Sequence, residues 1–333
     1  MLPWIAGFAV LLIKLALVLG LLLLAASYLV WLERKLLARF QVRLGPNRAG
    51  LFGLLQPIAD SIKMLTKEDI VPAAAERVPF LLAPAVVAVT ALLMFAVVPL
   101  GPDISIGGHT VPLVITDLNV GLLFVFALSS LGVYGVAVGG WAANSKYSLL
   151  GGIRGAAQMI SYELPLGLSL VPVVMMAHSF SLVDIVNAQA AHPFILFQPV
   201  SFVVFFLSAL AESKRIPFDL PEAENELGAG YHTEYSGMRF GLFFLGEYVH
   251  IQVLGALMAV FFLGGWRGPW LPPWLWLALK MFLVAFFMIW MRGTLPRLRY
   301  DQLMALGWKV LIPVALVNIV VTGGVLLQMG GAP

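Results

Sequence analysis

Residues 2–35 read LPWIAGFAVLLIKLALVLGLLLLAASYLVWLERK. From Trp4 to Trp31 a single charge, Lys14, interrupts an apolar run, and the run stops on Glu33-Arg34-Lys35. A helix needs about 20 apolar residues to cross the roughly 30 Å hydrocarbon core of a bilayer, so residues 4–31 read as a membrane span. The segment is too long for a cleaved secretory signal and lacks both a basic head and a small-residue cleavage site. We therefore expect it to stay as the first span.

The rest of the chain repeats this pattern. Of its 333 residues, 61% are hydrophobic and 11% charged, and the mean hydropathy is +0.95. A soluble domain carries about a quarter charged residues, so the bilayer must be the solvent here. The apolar runs last about 20 residues instead of alternating over about ten, which predicts helices and not a barrel. The expected fold is all-α: a polytopic helical bundle of about eight spans, near residues 4–31, 78–99, 113–138, 156–178, 194–212, 238–263, 274–293 and 307–328. Pro165 and Pro172 fall inside the fourth span, where neighbouring helices can satisfy the freed backbone groups. Trp4, Trp31, Trp141, Trp266, Trp274, Trp276 and Trp308 stand near span ends, as interfacial anchors do. We read residues 1–333 as one transmembrane domain with two notable loops, 33–77 and 212–237.

Charge distribution sets the orientation. The loops after spans one, three, five and seven hold 17 of the 20 Lys and Arg residues. The positive-inside rule then puts these loops in the cytoplasm and both termini outside. Within the first loop, Leu51, Leu54, Leu55, Ile58, Ile62 and Leu65 recur at helical spacing opposite Asp60, Lys63 and Lys67. This predicts an amphipathic helix of about 17 residues lying in the interface, kinked or limited in its first turn by Pro57.

Cysteine is absent, which excludes thiolate-ligated iron–sulfur clusters, structural zinc and disulfides from this chain. The five histidines show no ligand spacing. Any redox centre must belong to a partner, and no cofactor is expected on this chain alone.

Charge inside a span costs roughly 2.5–3.5 kcal/mol at its centre. Glu163 and Glu247 nevertheless lie within apolar stretches, with Glu212 at a span end. Such carboxylates either load and release protons or are tied to Lys, Tyr or backbone partners inside the bundle; as a set they favour proton or ion handling. Lys14 and Lys280 sit in the outer halves of their spans, where snorkelling to the interface accounts for each. The third basic loop is the densest, with Glu212, Asp219, Glu222, Glu224, Glu226 and Glu234 against Lys214 and Arg215 only. A solvated acidic loop is one reading. The interleaved Phe218, Leu220, Leu227 and Tyr231 suit an ordered, partly buried lining better. In the first loop, Lys35, Arg39 and Arg48 are explained by anchoring. Glu33 with Arg34, and Asp60 with Lys63, could form charged pairs around a lateral opening that admits an amphiphile between the interfacial helix and the first span.

Four charged stretches, read together, resemble one family. They are ERKLLARFQVRLGPNRAGLFGLLQPIADSIKMLTKE (33–68), GWAANSKYSLLGGIRGAAQMISYE (140–163), AESKRIPFDLPEAENELGAGYHTEYSG (211–237) and RGTLPRLRYDQLMALGWK (292–309). The chain closely resembles the membrane subunit of respiratory complex I that floors the quinone chamber, called the H subunit in bacteria and subunit 1 in mitochondria. The resemblance runs the length of the chain. It implies eight core helices, an interfacial helix at the quinone entrance, and a cell inner membrane location. It also implies docking to the quinone-reducing and terminal iron–sulfur subunits of the hydrophilic arm and to small membrane subunits, beside membrane lipids; no nucleic acid partner is expected. FMN and iron–sulfur clusters would sit in those partners, with quinone as substrate. By position, the resemblance implies that Arg34, Arg43, Asp60 and Lys63 fall on the quinone tunnel and its entrance. Likewise Glu163, Glu212, Asp219, Glu222, Glu224, Glu226 and Glu247 fall on an acidic path toward the antiporter-like subunits. Gly246 stands where the family often has Ala, His250 where Asn is frequent, Gly228 where Val is common, and Ser213-Lys214 where Thr-Asn is; none of these removes a carboxylate. Other readings remain open: a related subunit of a membrane-bound hydrogenase, a stand-alone ion transporter, or a passive anchor.

Overall fold

A computed structural model describes residues 2–106, 109–328 and 330. Helices dominate it. In chain order they are α1 (Leu2–Phe40), α2 (Gln56–Thr66), α3 (Arg77–Met94), α4 (Gly121–Ala142), α5 (Lys146–Ala177), α6 (Leu182–Ala188), α7 (Pro199–Glu212), α8 (Glu224–Leu227), α9 (Gly237–Phe262), α10 (Pro273–Thr294), α11 (Tyr300–Ala305) and α12 (Ile312–Gln328). Two short strands, β1 (Ile104–Ile106) and β2 (His109–Val111), pair antiparallel with Ser105 opposite Thr110 between α3 and α4.

Among the described residues, seven helices are long and apolar enough to cross a membrane. The eighth apolar segment, expected over 194–212, is shorter. A 3₁₀ turn at Phe194–Leu196 precedes the 14-residue α7, because Pro199 has no N–H to continue a helix from the preceding turn. At 1.5 Å per residue α7 is about 21 Å long, less than the hydrocarbon thickness.

Three other boundaries move for physical reasons. α1 runs nine residues beyond Trp31, through Glu33-Arg34-Lys35, because Glu, Arg, Lys, Leu and Ala all favour helix and no breaker intervenes before Gly45-Pro46. The third span starts at Gly121 and not near 113, since Pro112 follows β2 and Asp117 accepts a hydrogen bond from Ser181 Oγ at 2.8 Å in the connecting loop. α5 begins ten residues before the expected start of span four, at Lys146, with Ser145 preceding it.

The interfacial helix is also shorter than expected. Pro57 sits in the first turn of α2, which has 11 residues, and Leu51–Gly53 form a separate 3₁₀ turn. Gly53 adopts φ 80°, and a Cβ there would lie 2.3 Å from the Pro46 carbonyl oxygen, so the chain must turn here.

The helix at the centre is α9. Its faces carry little polar contrast, and it is buried nearly all round, as a helix apolar on every side should be. α3, α5, α7, α10 and the end of α1 pack about it. In α1, by contrast, Leu12, Ile13, Leu17, Leu21 and Leu24 face outward, where lipid and not water is the solvent. Between α11 and α12 the chain forms a π-helical stretch, Leu306–Leu311, against Tyr162, whose hydroxyl donates to the Leu303 carbonyl at 2.8 Å.

Candidate functional site

The basic loops converge. Ion pairs join the end of α1 to the segment after α7 and to the end of α10 (Glu33 with Arg215 and Arg292), α5 to α8 (Arg154–Glu226, 2.6 Å), and Asp219 to Arg297 (3.1 Å). The loops after spans one, three, five and seven therefore meet at one end of the bundle. Around that end lie three groups of side chains.

The first surrounds a cavity of about 200 Å³ bounded by α1, α2 and α9. Val30 and Arg34 of α1, Asp60, Lys63 and Met64 of α2, and Phe244 and Tyr248 of α9 line it, and its surface is mainly apolar. Arg34 Nη1 donates to Asp60 Oδ2 at 2.6 Å, Gln56 Nε2 donates to Asp60 Oδ1 at 3.1 Å, and Lys63 Nζ stands 3.9 Å from the same carboxylate. Asp60 thus collects Arg34, Gln56 and Lys63 at the rim. Arg43 does not join them. It lies exposed in the turn after α1 and lines no part of this cavity.

The second group is a buried charge network. Glu33, 3% exposed, turns away from its sequence neighbour Arg34. It accepts from Arg215 Nη1 at 2.8 and 3.1 Å, from Tyr248 Oη at 2.8 Å, and from Arg292. The expected pairing with Arg34 fails because Glu33 and Arg34 project about 100° apart on one helix. Glu33 faces the bundle, while Arg34 faces α2. On its other edge, Arg215 Nε comes 2.9 Å from Glu247 Oε1, and its guanidinium lies 4.5 Å from the centre of the Tyr248 ring. Burial opposes the charge on Arg215, but Glu247, Tyr248 and Glu33 outweigh it and hold the group protonated well above the ordinary arginine range.

The acidic loop folds over this network. Phe218, Leu220, Leu227 and Tyr231 are buried within it. Gly230 (φ 62°) is held so close to Pro221 that a Cβ would overlap the Pro221 carbonyl oxygen. Gln158 of α5 donates to Ala211 O at 2.8 Å and Phe218 O at 2.7 Å, pinning both ends of the loop's first turn. Burial pushes the Asp219 carboxyl up to about 6 against the opposing charge of Arg297, and burial likewise raises Glu222 against Lys214. Lys214 Nζ donates to Tyr231 Oη at 3.0 Å, which in turn donates to Glu222 at 3.2 Å. Glu226 is exposed, and the side chain of Glu224 lies outside the described residues.

The third group runs into the bundle. Two adjoining cavities of about 30 and 20 Å³ share Met94, Ser129, Glu212 and His250. Glu247 and Lys214 border the first, and Glu163 borders the second. Ser129 Oγ donates to Glu212 Oε1 at 2.8 Å, and Ser130 Oγ donates to Glu163. Glu212 Oε2 and His250 Nε2 are buried without a hydrogen-bond partner among the described residues. Each cavity has room for about one or two waters. The row Glu247, Glu212, Glu163 is therefore brought together, with His250 beside it.

Of the two intramembrane lysines, Lys280 reaches the loop that follows α9. Its ammonium donates to the carbonyls of Leu263 (2.6 Å), Gly265 (2.8 Å) and Arg267 (2.7 Å), which satisfies all three N–H groups at the end of α9. Sequence reasoning also missed Arg292, Tyr248 and Gln158 as members of the site. Tyr248 stood next to Glu247, but nothing in the spacing set apart the other two.

These features define a polytopic helical membrane protein with a mainly apolar cavity bordered by charged side chains and with buried acids, and no metal-binding cluster among the described residues. The sequence model of the NADH dehydrogenase family matches residues 13–323. The chain is 74% identical to the second H subunit of NADH-quinone oxidoreductase from Syntrophobacter fumaroxidans, over 99% of this chain and 100% of that one. It is 63% identical to the first H subunit of the same enzyme from Geobacter metallireducens (98% and 99% covered) and 52% identical to the H subunit from Protochlamydia amoebophila (90% and 92%). The chain belongs to the family of NADH-quinone oxidoreductase H subunits, which are membrane subunits of complex I.

Proposed function

We propose that this chain forms the membrane floor of a quinone chamber and passes the effect of quinone reduction into a row of intramembrane acids that drives proton translocation. The observation that carries the reading is the closeness of the two features. A mainly apolar cavity with Arg34, Asp60 and Lys63 at its mouth and a row of buried carboxylates lie on opposite sides of one helix, α9. The cavity suits an amphiphile whose apolar tail stays in the bilayer while its polar head meets charge. Arg43, exposed and outside the cavity, would serve at the outer approach or in docking to the hydrophilic arm.

In this reading electrons reach quinone from FMN and iron–sulfur clusters held by partner subunits, and this chain supplies no redox group. Asp219, Glu222, Glu224 and Glu226 form the acidic mouth of the path, and Glu247, Glu212 and Glu163 continue it inward. The driving force is electrostatic. Charges in a poorly screened interior interact over several ångströms, so a negative charge appearing in the chamber alters proton occupancy along the row. The membrane is the cell inner membrane, with the basic loops in the cytoplasm and both termini outside.

The test uses the complex purified from its native membrane and reconstituted in vesicles. A photoreactive quinone should label α1 and α2 near Arg34 and Lys63 and be displaced by excess quinone. Glu212→Gln combined with Glu247→Gln should abolish proton uptake driven by NADH. Full proton pumping in that double variant would sink the proposal.

A further inference from the structure

Arg215 faces two carboxylates with one guanidinium. Its Nη1 is spent on Glu33, its Nε lies 2.9 Å from Glu247 without completing a hydrogen bond, and its Nη2 is buried with no partner among the described residues. Unspent buried donors are costly, on the order of 1–3 kcal/mol each, so the arrangement has something to gain from a small rotation. Glu33, by contrast, is saturated with three donors from Arg215, Arg292 and Tyr248. Tyr248 is also part of the wall of the α1–α2–α9 cavity, and Glu247 is part of the wall of the next one.

We propose that Glu33 is a positioning residue linking the two cavities: it competes with Glu247 for Arg215, and the hydroxyl of Tyr248 sets the outcome. This rests on the quinone-chamber reading above. When an oxygen of a molecule in the first cavity draws the Tyr248 O–H, Glu33 loses a donor and pulls Arg215 toward itself. Glu247 then loses its counter-charge, and its negative charge is neutralised by a proton instead. When the hydroxyl returns to Glu33, Arg215 swings back to Glu247 and the proton leaves. Arg292 stays on Glu33 in both arrangements, so Glu33 is never left without a cation. The other titratable groups facing Glu247 among the described residues include Lys214, Asp219 and Glu222 from the acidic loop, and Glu212 of α7 and His250 of α9, which line the same cavity; none of them is hydrogen-bonded or ion-paired to Glu33.

The experiment introduces Tyr248→Phe into the assembled complex in three backgrounds: wild type, Glu33→Gln and Glu247→Gln. The phenylalanine keeps the ring over Arg215 and removes only the hydroxyl. NADH:quinone turnover and the KM for a short-chain quinone are read separately. In the wild-type background Y248F should lower turnover at least about threefold. In E33Q, and again in E247Q, the same change should alter turnover by less than about 1.5-fold, since the hydroxyl acts only through those residues. If E33Q does not assemble, the E247Q background decides. An equal loss in all backgrounds would mean that the hydroxyl acts directly on quinone, and would overturn the proposal. So would a Y248F complex that turns over like wild type. If the wild-type complex reduces no quinone, the chamber reading itself has failed. If it does and the losses multiply, only the role of Glu33 has failed.

Discussion

Replacing Gln158 by Leu should loosen the acidic loop while leaving the helices in place. Gln158 is fully buried, and both N–H groups of its amide are used, on Ala211 O at 2.8 Å and Phe218 O at 2.7 Å. Ala211 O also accepts from the Lys214 N–H at 3.2 Å and Phe218 O from the Leu220 N–H at 3.0 Å, so each carbonyl keeps one backbone partner when the amide is removed. Leucine is close in size to glutamine but offers neither donor. Losing two hydrogen bonds at a net ~0.5–1.5 kcal/mol each gives a local cost of ~1–3 kcal/mol. At 1.4 kcal/mol per tenfold, local opening of the loop should rise roughly 5- to 140-fold. Hydrogen exchange read by mass spectrometry on the purified complex checks this. Amides of the peptide covering residues 213–223, including those of Phe218 and Leu220, should exchange faster by that factor, while amides within α9 stay unchanged. Exchange within threefold of wild type would refute the claim that Gln158 holds the loop.

Lowering pH from 7 to 5 should stabilise the acidic loop through Asp219. Its carboxyl is raised from near 3.8 to about 6, so between those values the folded loop binds more protons than the unfolded chain, and stability falls as pH rises. Asp219→Asn should flatten that slope in a detergent melting series between pH 4.5 and 7. Lys280→Met should leave three carbonyls at the end of α9 without their donor and cost about 2–4 kcal/mol, read as a lower melting temperature of the complex with little change in the KM for quinone. Asp60→Asn breaks a half-exposed ion pair with Arg34 worth about 0–1 kcal/mol, so assembly should be normal while the KM for quinone rises severalfold.

Much of this was legible in sequence because the bilayer imposes a simple rule on apolar run length. The spans at 78–99, 238–263 and 274–293 were located to within a few residues, since Arg77, Gly237 and Pro273 mark clear starts. The errors came where local chemistry overrides hydropathy. Hydropathy cannot see that Glu33-Arg34-Lys35 continues a helix, nor that Gly53 and Pro57 divide the interfacial segment into a 3₁₀ turn and a short helix. The candidate acids were visible because charge inside an apolar run stands out. Their partners were not. Arg215 and Arg292 looked like ordinary loop cations, and 182 and 259 residues of chain separate them from Glu33. Gly246 shows a smaller effect of the same kind. A Cβ there would approach Val87 Cγ1 to 2.8 Å, so the glycine fits α9 closely against α3.

The position of α9 explains why neighbouring residues in sequence serve different cavities. Successive side chains on a helix point about 100° apart, so Glu247 and Tyr248 cannot look into the same space. Tyr248 turns toward α1 and α2, and Glu247 turns toward α3 and α5, with His250 one turn on lining the same inner space as Glu247. A rigid helix with such a division transmits little by bending, because its core packing resists continuous deformation. What can change at low cost is the allocation of hydrogen bonds around it. Arg215 reaches round the helix from the acidic loop and touches a residue belonging to each side. In the switch proposed above, moving a single guanidinium by a fraction of its length would exchange one charge partner for another without disturbing the spans, and would let the α1–α2–α9 cavity influence the interior acids through a wall that does not move.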